Sequence, residues 1–197
     1  MADTSAREAA RPGAQGRIAA ALFALCLAAT CPAAELAGRV IRVADGDTIT
    51  VLDHGQVEHK VRLSGIDAPE KNQPFGTLAK SHLSALVHGK TVVVVWHKRD
   101  RYRRIIGQVL VTAFDCANAA CANGADAGLA QISSGYAWHY KQYEYDQTPK
   151  QRKAYALAEH QAQAGRHGLW IDLEPLPPWE FRHRQRGHAS SMVHPRS

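Results

Sequence analysis

Residues 40–66 read VIRVADGDTITVLDHGQVEHKVRLSGI, and this stretch decides the fold. Val40 to Leu52 alternates and is rich in β-branched residues, the pattern of a strand, with an interruption at Asp45-Gly46. Asp53-His54-Gly55-Gln56 is a turn signal, and Val57 to Ile66 is the returning strand. A bend at Ala44-Asp45-Gly46 is the device by which a small barrel turns a corner. Further along, the consecutive valines within Thr91 to Trp96 predict a strand buried on both faces, and Arg104 to Val111 supplies another.

Helical spacing follows. Leu78, Ala79, His82, Leu83, Leu86 and Val87 recur at that period, and Gly89 suits the stop. Asp126 to Ser134 is a shorter helix ending at Gly135. Thr148-Pro149-Lys150-Gln151 is a cap, a proline at the first helical position and a glutamine completing a capping box, for a helix reaching Gln163. Leu169, Trp170 and Ile171 form a patch that docks the chain's end on the core. The expected class is α+β, mainly β: a small twisted barrel with helices packed on it. Pro175 to Pro178 breaks regular structure, and the Arg-, His- and Ser-rich residues that follow predict a flexible tail over 175–197.

The strands that build the barrel also carry the charges. Asp45-Gly46-Asp47-Thr48 comes first, then Arg62, then Asp67-Ala68-Pro69-Glu70, then Arg101-Tyr102-Arg103-Arg104. Asp47, Asp67 and Glu70 offer only oxygen, the donor a hard cation prefers. Arg62 and Arg104 offer forked donors that match phosphate oxygens. Taken together they point to a metal-assisted phosphodiester site. Arg62 and Asp67 are an odd interval apart, so an ideal strand would turn them to opposite faces. The strand must therefore bulge, twist or end between them, and Ser64-Gly65 is the natural place. The formal charge of +6 over 197 residues favours a polyanionic partner. The sequence has no glycine-rich phosphate loop and no H-E-x-x-H helix.

The order and spacing of these motifs, from Gly38 to Ile171, resemble the thermonuclease (staphylococcal nuclease) family. The resemblance implies a five-stranded oligonucleotide/oligosaccharide-binding (OB-fold) barrel with three packed helices, and a calcium-dependent phosphodiesterase that cleaves DNA and RNA and leaves 3′-phosphate ends. Carried over by position, Asp47 and Asp67 correspond to the carboxylate ligands of calcium. The backbone carbonyl of Ala68 corresponds to a further ligand; the family usually has threonine there. Glu70 corresponds to the residue that activates or positions the attacking water, and Arg62 and Arg104 to the phosphate-binding arginines. Arg101 and Tyr102 join them on the substrate side. Tyr140 and Tyr143, from the aromatic run Tyr136 to Tyr145, correspond to residues that contact the nucleotide, and stacking on such rings tolerates any base. Arg103 replaces a glycine common in the family. His139 is expected to be structural.

The first 34 residues read as a secretory signal peptide. Arg7, Arg11 and Arg17 precede the apolar run Ile18 to Ala29, and cleavage is expected after Ala33 or Ala34. Removal takes Cys26 and Cys31 with it and leaves Cys116 and Cys121. Their spacing fits a small disulfide-closed loop, with free thiols as the alternative, while a metal site lacks further local ligands. The organisation expected is a leader over 1–34, a thermonuclease-like domain over 35–174 and the tail over 175–197. The mature protein is expected to be a secreted or periplasmic monomer without stable membrane association. A non-catalytic nucleic-acid-binding barrel and a basic structural or adhesive surface protein are the competing readings. The full set of carboxylates and arginines disfavours the first of these.

Overall fold

The computed structural model describes residues 34–112 and 124–193. The expected leader up to residue 33 and the expected Cys116–Cys121 pair lie outside the described residues. The strands are β1 (Ala34–Val43), β2 (Thr48–Asp53), β3 (Glu58–Leu63), β4 (Ile66–Asp67), β5 (Thr91–Arg99), β6 (Ile105–Val111), β7 (Ala125–Asp126) and β8 (Trp138–His139). The helices are α1 (Gly76–Val87), α2 (Ala127–Ser133), α3 (Pro149–Ala164) and α4 (Pro178–Val193). No helix among the described residues is long and apolar enough to cross a membrane.

The sheet runs β3-β2-β1-β5-β6-β7, and a parallel pairing of β3 with β6 closes its first five strands into a barrel. Closure removes the open edges that a flat sheet would expose. The register slips between Val40 and Arg42 on β1 and between Trp96 and Lys98 on β5, the irregularities by which strands curve round a small barrel. Inside, Val40, Ile49, Val51, Val61, Val92, Val94, Ile105 and Val109 are buried. Val93 is buried as well, so β5 is covered on both faces as its valine run predicts.

Helix α1 closes one side of the barrel with Ala79, Leu83 and Val87. Asp126 caps α2 through the Gly128 and Leu129 amides, and Tyr155 of α3 also donates to its carboxylate. The capping box of α3 is formed: Gln151 N donates to the Thr148 hydroxyl and Thr148 N to the Gln151 side chain. Of the expected docking patch, Leu169 is buried and Trp170 packs edge-on to Trp138 at 4.3 Å, but Ile171 is exposed. Most of the stretch expected as a tail is helical, as α4. Pro178 stands at its first position, where a missing N–H costs nothing.

The returning strand ends where the odd interval requires. β3 stops at Leu63, Ser64-Gly65 turns, and β4 starts at Ile66. Gly65 takes φ +73°, and a Cβ there would lie 2.3 Å from the Gln147 amide nitrogen. Gln147 is itself held by a 2.9 Å hydrogen bond to His139 Nε2. Gly65→Ala is therefore expected to lower unfolding free energy by about 2–3 kcal/mol, from left-handed strain plus displacement of Gln147. Urea denaturation measures this, and an unchanged midpoint would contradict the assigned turn.

Candidate active site

Asp47 leaves the corner between β1 and β2, and Asp67 ends β4. Both are buried, at 3% and 0% exposure. The corner fits because residue 46 is glycine. A Cβ there would meet the Ala68 and Ala79 methyl groups at 2.6 and 2.8 Å. Gln131, fully buried on α2, donates to the Gly46 carbonyl at 2.6 Å and to the Ala79 carbonyl at 3.1 Å. Asp47 is then fixed by its surroundings: its amide donates to the Asp45 carboxylate at 3.0 Å, and the Ala68 amide donates to its Oδ2 at 3.3 Å.

Arg62 joins the two carboxylates. Its Nη1 donates to Asp47 Oδ1 at 3.0 Å and its Nη2 to Asp67 Oδ1 at 2.6 Å. The break at Ser64-Gly65 allows one side chain on β3 to reach a residue five positions later. The charges of Asp47 and Asp67 outweigh the burial of Arg62 and hold its guanidinium more firmly protonated than usual. Burial pushes the Asp67 carboxyl above its ordinary value, against the hydrogen bonds and charge of Arg182 and the charge of Arg62. Burial, with the neighbouring Asp47 charge, raises Asp45 to about 6. Burial thus makes the charge of Asp45 and Asp67 costly, and at Asp67 the two guanidinium groups work against that cost.

Glu70 does not join Asp47 directly; Arg182 of α4 links it to Asp67. Arg182 Nη1 donates to Glu70 Oε1 at 2.7 Å, and Nη2 donates to Asp67 Oδ2 at 2.7 Å. Arg104 stands apart from the carboxylate group. Its Nε donates to Asp100 Oδ2 at 2.8 Å. By register Arg62 pairs with Ile106, so Arg104, which immediately precedes β6, lies two residues before the position opposite Arg62. Tyr102 is exposed, with the guanidinium groups of Arg101 and Arg104 at 4.8 and 5.6 Å from its ring centre. Arg103, at the place of the family's glycine, takes φ +64°.

The β4–β8 pairing aligns Asp67 with Trp138, which brings the aromatic run alongside the carboxylates. The Tyr140 amide donates to the Gly65 carbonyl at 2.9 Å, and its ring lies 5.1 Å from that of Tyr143. Burial, followed by the Asp67 charge, raises the Tyr140 hydroxyl above its ordinary value. Tyr143 is more exposed, with the Lys98 ammonium 5.7 Å from its ring centre. His139 is buried, and its amide donates to Glu159 at 2.9 Å, which fits a structural part.

No cluster of three or more His, Cys, Asp or Glu residues suited to a metal occurs among the described residues. The donors that could hold a hard cation are Asp47 and Asp67, with the Ala68 main chain adjacent. They fit one chemically: oxygen alone, buried, and already drawing two guanidinium groups. Sequence reasoning missed Gln131, Trp179 and Arg182, and gave Asp100 no role. Pro178 followed by Trp179 and, three positions later, Arg182 was the available sign of a helix there.

Residues 60–172 match the family model described as staphylococcal nuclease homologue. A protein of Escherichia coli named an uncharacterized endonuclease is 39% identical over 152 residues, covering 77% of this chain and 88% of that one. A Haemophilus influenzae protein of the same name is 37% identical over 148 residues, 75% of this chain and 74% of its own length. A Shigella flexneri protein named micrococcal nuclease is 36% identical over 160 residues, 81% and 88% of the two chains.

Asp100 is the group that orients Arg104. Burial raises its carboxyl, but hydrogen bonds from the Arg104 side chain and amide outweigh that and leave it below the usual 3.8. A depressed folded value contributes stability above the unfolded value and loses it on acidification. Wild type is therefore expected to be more stable than Asp100→Asn at pH 7, with the gap closing as pH falls below 3.8. Thermal melts of both proteins across pH 2 to 7 measure this, and a gap that persists at the acid end would contradict the pairing.

Proposed function

The chain belongs to the staphylococcal nuclease family, and we propose that within it this phosphodiesterase is calcium-dependent and hydrolyses both DNA and RNA, leaving 3′-phosphate ends. The observation that carries the reading is the convergence of Asp47, at the corner between β1 and β2, and Asp67, at the end of β4, on the Arg62 guanidinium. A barrel that only bound nucleic acid would have no need of buried carboxylates, which repel phosphate.

Asp47 and Asp67, with the Ala68 carbonyl, would hold calcium. Bound there, the ion supplies positive charge to the phosphoryl oxygens as negative charge develops on them. Arg62, from β3, and Arg104, from the turn that enters β6, bind the phosphate, and their charge is constant at any working pH. Glu70 accepts a proton from the attacking water or orients it. Arg101 and Tyr102 extend the phosphate-contacting edge, and Tyr140 and Tyr143 stack against the nucleotide. The leader, if removed as its sequence predicts, delivers a monomer to the periplasm or medium, with Cys116 and Cys121 paired.

The test is digestion of single-stranded DNA and of RNA by the purified chain, with calcium or with chelator. Cleavage is expected only with calcium. Glu70→Gln and Arg104→Ala are each expected to lower kcat by about 10²–10³ while leaving the fold intact. Binding of oligonucleotide without any cleavage would favour the non-catalytic barrel, and cleavage unchanged in both variants would refute the assigned roles.

A further inference from the structure

We propose that α4 is an intramolecular lid that competes with both the cation and the nucleic acid for the active site. The inference rests on the nuclease reading above. Its basis is a double occupation. Arg182 lies on the two carboxylates assigned to the cation and the water, donating to Asp67 at 2.7 and 3.2 Å and to Glu70 at 2.7 Å. One turn earlier on the same helix face, Trp179 covers Tyr140 with ring centres 5.3 Å apart and planes 17° from parallel. That is the offset stack a nucleobase makes on an aromatic side chain. Trp179 also meets Trp138 edge-on at 5.6 Å. The chain entering α4 is fixed by Gln73, which donates to the Leu176 carbonyl and also accepts from the Glu70 amide.

The helix therefore presents a cation to the carboxylates and a ring to the tyrosine, as a substrate with its metal would. Asp67 and Glu70 cannot take up their assigned tasks while the guanidinium holds both. The contact is made to be reversible. Arg182 keeps a third of its side-chain surface exposed, and residues 183–187 of the helix are exposed. Among residues 178–187 only Pro178 is buried and Trp179, Phe181 and Arg182 are half-buried, the modest burial of a segment that opens locally. A phosphate-rich strand offers Arg182 an alternative bidentate partner and offers Tyr140 an alternative ring, so substrate favours the open state.

The apparent affinity for a ligand falls by the fraction of time its site is open. Calcium titration of the full chain by calorimetry reads this without any turnover. Arg182→Ala is expected to tighten calcium binding about tenfold, as for a lid open a tenth of the time. Trp179→Ala, which leaves Arg182 in place, is expected to tighten it about threefold by weakening the same helix. Arg186→Ala removes equal charge at an exposed position farther along α4 and is expected to leave calcium affinity unchanged. DNA cleavage at calcium concentrations well below saturation is expected to rise in the first two variants. Calcium affinity unchanged by Arg182→Ala, with cleavage retained, would overturn the lid and leave the nuclease reading standing. Slower cleavage in Arg182→Ala without tighter calcium binding would overturn it too, making Arg182 a substrate contact. Neither calcium binding nor cleavage by wild type and variants would reject the nuclease reading and the lid with it.

Discussion

Two aspartates buried beside one arginine are the constraint from which the rest of this structure follows. Asp47 and Asp67 are inaccessible to water, and the Arg62 guanidinium is their shared partner. Removing one member of such a group strands the other charges and costs about 3–5 kcal/mol. A protein built only for stability would gain by replacing the trio with apolar residues of the same volume. Its retention here makes sense as preparation for a ligand of opposite charge. The surrounding fold maintains the cost: the glycine corner at 46, the Gln131 amide behind it and the left-handed turn at Gly65 all hold the aspartates in place.

Much of this was legible along the chain because local periodicity and local geometry decide it. The alternation in β1 and β2, the valine run of β5 and the capping box of α3 are near-neighbour signals, and each becomes the element it predicts. The odd interval between Arg62 and Asp67 was more demanding. It converts a functional expectation into a geometric one, and the break at Ser64-Gly65 satisfies it. What was not legible is what depends on contacts remote in sequence. Gln131 reaches back 85 positions to Gly46, and Arg182 reaches back 115 positions to Asp67. Neither residue has a local pattern that distinguishes it from surface polarity elsewhere on a helix.

The tail shows what compositional reasoning leaves out, since most of it is helix α4. Arg, His and Ser in quantity, with little apolar content, normally signal a segment unable to bury enough surface to order itself. That argument counts only apolar burial. Here the segment docks on a surface that already offers carboxylates and aromatic rings, and a few residues suffice. Pro178, Trp179, Phe181 and Arg182 turn one face of a helix toward the core while residues 183–187 remain exposed. The charge that argued for disorder in isolation is what anchors the helix at this site.

The same electrostatics that suit the site to a dication make it attractive to the protein's own cations. Arg62 bridges Asp47 and Asp67 from β3, and Arg182 holds Asp67 and Glu70 from α4. The two differ in setting: Arg62 is committed by its strand, whereas Arg182 comes from a helix whose residues 183–187 are exposed. Its guanidinium stays protonated throughout the physiological range, and the carboxylates hold it more firmly so. Release by proton gain or loss on Arg182 is therefore closed as a route. The groups able to displace it are a stronger cation on Asp67 and a phosphate on the arginine itself. On the function proposed above, both would arrive together with metal and substrate, so the carboxylate pair assigned to the metal would also set the condition for its own exposure.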